Sequence, residues 1–321
     1  MTASLDTRLC RRFGLTAPIV SAPMAMASGG RLAAAVSGAG GLGFIGGGYG
    51  ADAEWIDAQF AAAGNVAVGC GFITWALAER EARAPGLYDA VLQRRPAAMF
   101  LSFGDLSGFA EAAQAAGVPV FAQVQSVEGA RAALAAGAEV IVAQGSEAGG
   151  HGAARGTMTL VPEVVDLVGG RAIVLAAGGI GDGRGLAAAL MLGAEGVVVG
   201  TRFWASEEAL VPEGFQAAAL AADGDATVRS SLPDIARGLD WPRPYTIRTL
   251  SNDWTDYWRD VPGGPRDAEA RAAYGKAVAE GDAGGAPAIA GEAVGLIGRV
   301  EPAADIVARM MREAQEALGR W

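Results

Sequence analysis

The chain has 321 residues, 51% hydrophobic and 19% charged, with a net charge of −10. This is an ordinary globular composition, long enough for one large α/β domain or two average ones. It shows no basic stripe for nucleic acid, and two cysteines with one histidine rule out a disulfide scaffold and argue against a zinc site.

The start, MTASLDTRLCRRFG, lacks the apolar core of a secretory signal, so the expected setting is a reducing cytoplasm. Residues 32–51 carry no charge, but eight of them are glycine. The stretch therefore reads as helix, strand and loop in succession and not as a membrane span.

Short apolar β-rich runs follow one another, beginning near Ile19, Leu42, Val66, Ala98, Pro119, Glu139, Ala172 and Gly196. Continuous apolar runs fit parallel strands covered on both faces. The stretches between them are Ala- and Leu-rich and amphipathic. Three of these, 106–116, 127–136 and 182–192, end at Gly117, Gly137 and Gly193, good helix stops. Two wider gaps, near Trp75–Pro96 and Ser146–Pro162, are expected to carry extra loop. Eight βα units in about 200 residues predict a TIM (β/α)8 barrel, with an open doubly wound sheet as the alternative. After Phe203 the rhythm stops. Helical sequence runs to about Ala222, and residues 231–287 then hold six prolines, three tryptophans and three tyrosines. The expected division is a barrel of residues 1–204 plus 291–321, with 205–290 a smaller, mostly helical insertion after the eighth strand. Residues 302–318 supply the eighth outer helix.

Three loops carry the chemistry. AAGGIGDGRG (Ala176–Gly185) and VVVGTRF (Val197–Phe203) follow the seventh and eighth runs, where TIM barrels commonly bind phosphate. Backbone N–H groups unshielded by side chains, next to a helix N-terminus, suit an anion. AQGSEAGGHG (Ala143–Gly152) follows the sixth run and holds His151, the only histidine, a side chain suited to proton transfer near neutral pH. Glu147 either orients it or is merely solvated. SAPMAMASG (Ser21–Gly29) follows the first run, placing Pro23 and Met24 as a bent apolar wall at the barrel mouth. Cys70 has no base among its sequence neighbours and reads as a packed thiol.

APIVSAPM, QGSEAGGHG, AAGGIGDGRGLAAALMLGAEGVVVGTRF and the late GEAVGLI (Gly291–Ile297) together resemble the nitronate monooxygenase family, across nearly the whole chain and in the same order. The resemblance implies a non-covalent FMN. Ala22, Pro23 and Met24 would pack near its ring, Gln144 would hydrogen-bond it, and Gly149 would lie beside it. Gly178, Gly179, Gly200 and Thr201 would bind its phosphate, and His151 matches the family's active-site histidine. Where many relatives have asparagine after strand 3, this chain has VGCGF, with Gly69 and Gly71. Where many have lysine or another polar residue after strand 5, it has Gln123, which can only hydrogen-bond. Gly69 and Gln123 join the cofactor-binding candidates on that basis. Glu292 stands where glutamine is expected.

The implied reaction oxidises a small alkyl nitronate with dioxygen to a carbonyl compound and nitrite. The alternatives are NAD(P)H-dependent reduction of a quinone or enoyl thioester, and a non-catalytic phosphate- or nucleotide-binding barrel. The aromatic stretch of Trp241, Tyr245, Trp254, Tyr257 and Trp258 either shapes a pocket or packs the insertion. Oligomeric state is left open.

Overall fold

The computed structural model describes residues 5–49 and 51–320. Residues 1–4 of the start discussed above, and Gly50 of the uncharged stretch, lie outside them. The strands in chain order are β1 (Ile19–Ser21), β2 (Phe44–Gly48), β3 (Gly69–Ile73), β4 (Met99–Ser102), β5 (Val120–Val124), β6 (Val140–Gln144), β7 (Gly150–Gly152), β8 (Ile173–Ala177), β9 (Val197–Val199), β10 (Thr227–Ser230) and β11 (Thr246–Leu250). Eight of them form a parallel sheet in the order β1-β9-β8-β6-β5-β4-β3-β2. A parallel bridge between Val20 and Leu42 joins its two edges, so the sheet closes into the expected (β/α)8 barrel. All eight predicted runs are present. The third starts late, at Gly69 and not Val66.

Alternation along each strand sends every second side chain into the barrel. Val20, Phe44, Phe100, Phe121, Val140, Val142, Leu175 and Val198 form one buried interior cluster. Leu9 joins it and Phe13 packs against it from the helix Arg8–Phe13. The residues of opposite parity, such as Ile19, Ile45, Met99, Leu101 and Ile141, belong to the larger core between strands and outer helices. This two-sided burial is why the strand sequences are apolar throughout.

The helix Ala303–Leu318 buries Ala303, Ile306, Val307, Met310 and Ala314, the spacing of one helical face. It packs between helices Gly183–Met191 and Gly30–Gly38 and completes the outer ring as predicted. Gly183 permits the close approach, because a Cβ there would lie 2.3 Å from the Met310 carbonyl oxygen.

The first wide gap is helix and not extra loop, whereas the second carries the expected loop at 146–149 and 153–156, with a short strand set into it. Trp75–Pro96 holds most of helix Thr74–Arg83 and all of Leu87–Gln93, while the second gap holds β7 and the start of helix Thr157–Val168. Neither glycine nor proline interrupts 74–83, and its Ala- and Glu-rich content favours helix. Helices Glu213–Ala221, Leu232–Arg237, Asp253–Arg259 and Ala268–Glu280 are the main regular structure of the insertion, which is otherwise largely turn and loop. It also contains an antiparallel pair, β10 and β11, that recruits β7 as a third strand. A second core containing Trp204, Phe215, Ala236, Leu250, Tyr274, Ala290 and Val294 seats it on the barrel. Among the described residues no helix is long and apolar enough to cross a membrane.

Candidate active site

The site lies at the carboxyl ends of the barrel strands, where barrel enzymes build their chemistry. Above the phenylalanine layer the inward positions become small or polar: Ala22, Gly46, Gly71, Gln123, Gln144 and Gly200. The turn after β1 folds over this end. Ala22 donates from its amide to the Val199 carbonyl at 2.9 Å, and Ser28 donates to that of Met24 at 2.9 Å. Gly46 and Gly71 admit this turn. A Cβ on Gly46 would lie 2.1 Å from the Met24 carbonyl oxygen, and one on Gly71 would lie 2.5 Å from Pro23 Cβ. Pro23 and Met24 thus form a half-buried wall at the mouth.

Gly69 is not brought to this mouth. It opens β3 opposite Phe44, and a Cβ there would lie 2.2 Å from the Phe44 ring. Its lack of a side chain serves the lower interior layer, and Gly71, two residues on, occupies the mouth position.

Gln123 and Gln144 do meet, and Gln125, absent from the sequence-based candidates, joins them. The Gln144 Oε1 accepts from Gln125 Nε2 at 2.7 Å and from Gln123 Nε2 at 3.1 Å, while Gln144 Nε2 donates to the His151 carbonyl at 3.1 Å. The amide of Gln144 is thereby held in a fixed orientation, with its oxygen engaged within the protein. Alternation could have found Gln125, two residues beyond Gln123 on the same face.

Gly178 and Gly179 both adopt positive φ, 101° and 71°, a conformation natural to glycine. Gly179 is exposed, and among the described residues nothing accepts its N–H. The Thr201 hydroxyl accepts from the Gly291 amide at 2.9 Å, which leaves its own proton free to donate. A Cβ on Gly200 would meet only ordinary contacts with Ala22 and Met24, 3.7 Å and 3.8 Å away. These features fit an anionic group held between the two turns. The helix N-terminus expected to assist is not open, however. Asp182 accepts from the amides of Arg184 and Gly185, and Glu313 accepts from that of Gly183, so the chain's own carboxylates satisfy the first turn of Gly183–Met191.

The loop carrying His151 is held from several sides. A Cβ on Gly149 would lie 2.5 Å from the Gly291 amide nitrogen, so the late GEAVGL segment lies directly against it. Arg229 donates to the carbonyls of Ser146 and Ala148, and Arg248 to that of Ser146. Glu147 neither orients His151 nor is left to solvent. Its carboxylate accepts from the amide and hydroxyl of Thr157, the latter at 2.8 Å.

His151 itself lies on β7 opposite Ile247 of β11 and is 8% exposed. Its Nε2 lies 3.0 and 2.9 Å from the two carboxylate oxygens of Asp234, a buried residue that accepts from Arg237 at 2.6 Å. The Trp241 ring stacks on the imidazole, 3.4 Å between centroids and 8° between planes. Phe103, Tyr245, Trp75 and Tyr49 surround Trp241, and its indole N–H donates to the Tyr49 hydroxyl at 3.0 Å. Burial pushes the His151 pKa below its ordinary value. Asp234 opposes that shift, and Arg237 and Arg229 reinforce it.

Asp234 was invisible in the sequence, since nothing links residues 83 apart. The aromatic stretch divides. Trp241 and Tyr245 face the site, while Trp254, Tyr257 and Trp258 contact one another, and Trp254 packs on Tyr274 within the insertion. Cys70 is fully buried and its thiol is pushed up to about 12 by that burial, which makes it inert at neutral pH.

Fold and site together define a (β/α)8 barrel with a buried histidine at its C-terminal mouth. A family model described as nitronate monooxygenase matches residues 78–313. The nitronate monooxygenase npaC of Metarhizium robertsii is 40% identical over 94% of this chain and 91% of its own length. Among solved structures, FabK from Thermotoga maritima superimposes with a TM-score of 0.85 at 29% identity over 98% of both chains. The nitroalkane oxidase from Streptomyces ansochromogenes gives 0.77 at 28% identity, over 95% of this chain and 98% of its own. The chain belongs to the nitronate monooxygenase family, whose members are flavin-dependent oxidoreductases acting on small molecules.

Proposed function

We propose that the protein is an FMN-dependent nitronate monooxygenase that converts a small alkyl nitronate and dioxygen to a carbonyl compound and nitrite. The observation that carries this reading is His151, a buried imidazole whose neutral form is favoured at the mouth of the barrel. When bound, the flavin supplies the redox chemistry between substrate and dioxygen. Ala22, Pro23 and Met24 wall its ring, and Gly149 backs the loop beside it. Gln123 and Gln144 present an amide edge, and Gly178, Gly179, Gly200 and Thr201 receive the phosphate. FMN is preferred to FAD because, among the described residues, one anion cradle is built at Gly178, Gly179, Gly200 and Thr201 and no second one suited to an adenylate accompanies it.

His151 acts on the substrate proton. A neutral imidazole takes the α-proton of a neutral nitroalkane, whereas a pre-formed nitronate arrives without it. Trp241 excludes water from one face of the ring. Residues 1–204 with 291–321 hold the cofactor in this reading, and 205–290 cover the substrate.

Two measurements test it. Cofactor released by heat should have the mass of FMN, and recovery of stoichiometric FAD would refute that assignment. Anaerobic addition of an alkyl nitronate should bleach the flavin absorbance. Bleaching by NADH or NADPH but not by nitronate would make the protein a nicotinamide-dependent reductase instead.

A further inference from the structure

The insertion does more than cover the site, because it contributes a carboxylate to it. We propose that Asp234 is a positioning residue for proton transfer, fixing His151 as the Nε2–H tautomer so that Nδ1 is the atom that accepts the substrate proton. This rests on the assignment of His151 as the acid–base group.

Both partners are buried, His151 at 8% and Asp234 at 2% exposure. Both carboxylate oxygens lie within 3.0 Å of Nε2. An ionised carboxylate only accepts hydrogen bonds, so Nε2 must carry the hydrogen, and in a neutral ring Nδ1 then holds the lone pair. The ring cannot readily turn away. Trp241 lies flat on one face at 3.4 Å, and the Phe103 ring approaches at 6.3 Å, tilted 75°. Gln144 pins the backbone by donating to the His151 carbonyl. Asp234 is fixed in turn by Arg237, one helical turn on, at 2.6 Å.

The charged and titratable groups around the imidazole are few. Asp234 and Arg237 come from helix Leu232–Arg237 and Arg229 from β10. Tyr49 lies beneath Arg237, and Tyr245 lies beyond Phe103 and Trp241. Among these groups only Asp234 favours the protonated ring. In the proton-transfer step the α-C–H bond breaks, its electron pair forms the C=N bond, and the N=O π pair moves onto the nitro oxygen, which gives the nitronate. The proton binds Nδ1, and the new imidazolium charge faces the Asp234 carboxylate. The fold therefore places the base on the barrel side and its orienting anion on the insertion, and proton abstraction requires the insertion to be docked.

The single histidine makes the test direct, since imidazole ¹⁵N resonances of the holoprotein report His151 alone. The wild type should show a protonated Nε2 and an unprotonated Nδ1 at neutral pH. A predominant Nδ1–H tautomer would overturn the proposal without any variant. Asp234→Asn should lower the His151 titration midpoint, because the one group favouring its charge is gone. Its kcat/KM on a neutral nitroalkane should fall by about 10²-fold or more. Turnover of the pre-formed nitronate should fall far less, and Asp234→Glu should recover part of the loss. An unchanged midpoint with both substrates affected equally would make Asp234 a purely structural residue. A wild type inactive on nitroalkane and nitronate alike would refute the proposed reaction, while the resonances would still decide the role of Asp234.

Discussion

The two ends of the barrel interior are built from the same eight strands and do opposite things. At the lower end Phe44, Phe100 and Phe121 pack edge-on and stacked, with centroids 5.2–6.1 Å apart, and Phe13 adds a fourth ring against Phe121. At the mouth, two to four residues further along the strands, side chains shrink to Ala22, Gly46, Gly71 and Gly200 or become amides at Gln123 and Gln144. The lower layer gains apolar burial and aromatic contact. The mouth forgoes both, leaving room and donors for a ligand. Stability and chemistry are thus separated along the barrel axis, and substitutions at the two ends should have separable effects.

The largest expected effect falls at the mouth. His151→Asn should cost about 10²–10⁴-fold in kcat/KM on a neutral nitroalkane, with flavin content and unfolding temperature little changed. Steady-state assays beside absorbance spectra check this. Full activity would mean that the only histidine does not move the proton. At the lower end Phe121→Ala, at a fully buried position, should destabilise the fold by about 3–5 kcal/mol. The flavin affinity of the folded fraction should stay the same. Denaturant titration with parallel flavin binding would expose any leakage between the two ends, and a large affinity loss would show that the layers are coupled.

Gly179→Asp sharpens the comparison. Position 179 has φ 71°, and a Cβ there would lie 3.3 Å from Glu147 Cβ. A carboxylate here meets a bound phosphate as a like charge, worth about 1–4 kcal/mol at contact distance, so flavin binding should weaken by roughly one to three orders of magnitude. Circular dichroism should remain native. Unaltered FMN affinity would move the phosphate elsewhere.

The smallest effect is on stability against pH. The folded His151 pKa lies below its unfolded value of about 6.5, so between the two values the unfolded chain binds more protons. The stability associated with neutral His151 is complete above about pH 6.5 and is lost as pH falls through the folded pKa. Melting temperatures of wild type and His151→Asn from pH 8 to 5 should diverge on acidification, with the wild type losing more. Parallel curves would show that burial does not disfavour the charged ring.

Much of this architecture was legible in the residues. Eight apolar runs with glycine-terminated helices between them are enough to indicate a barrel, because parallel strands buried on both faces leave that local trace. The glycines after the last two barrel strands and the histidine after the sixth were visible because position along a βα repeat translates into position at the mouth. Gly69 misled because alternation was not followed to depth. It faces inward as Gly71 does, but one layer lower, against Phe44.

Other features depend on contacts between distant segments. The pairing of β7 with β11, the cap that Glu313 places on Gly183, and the diversion of Glu147 to Thr157 join residues 10 to 130 positions apart, and none leaves a local pattern. The sequence by itself determined the barrel and the loops that reach the mouth, since these follow from periodicity and glycine stereochemistry, while the depth of each interior residue, as at Gly69, came only with the pairing of the strands. Only the tertiary structure decided which carboxylate faces His151. Asp234 lies in an irregular insertion, and its burial against the imidazole depends on how that insertion docks on the barrel.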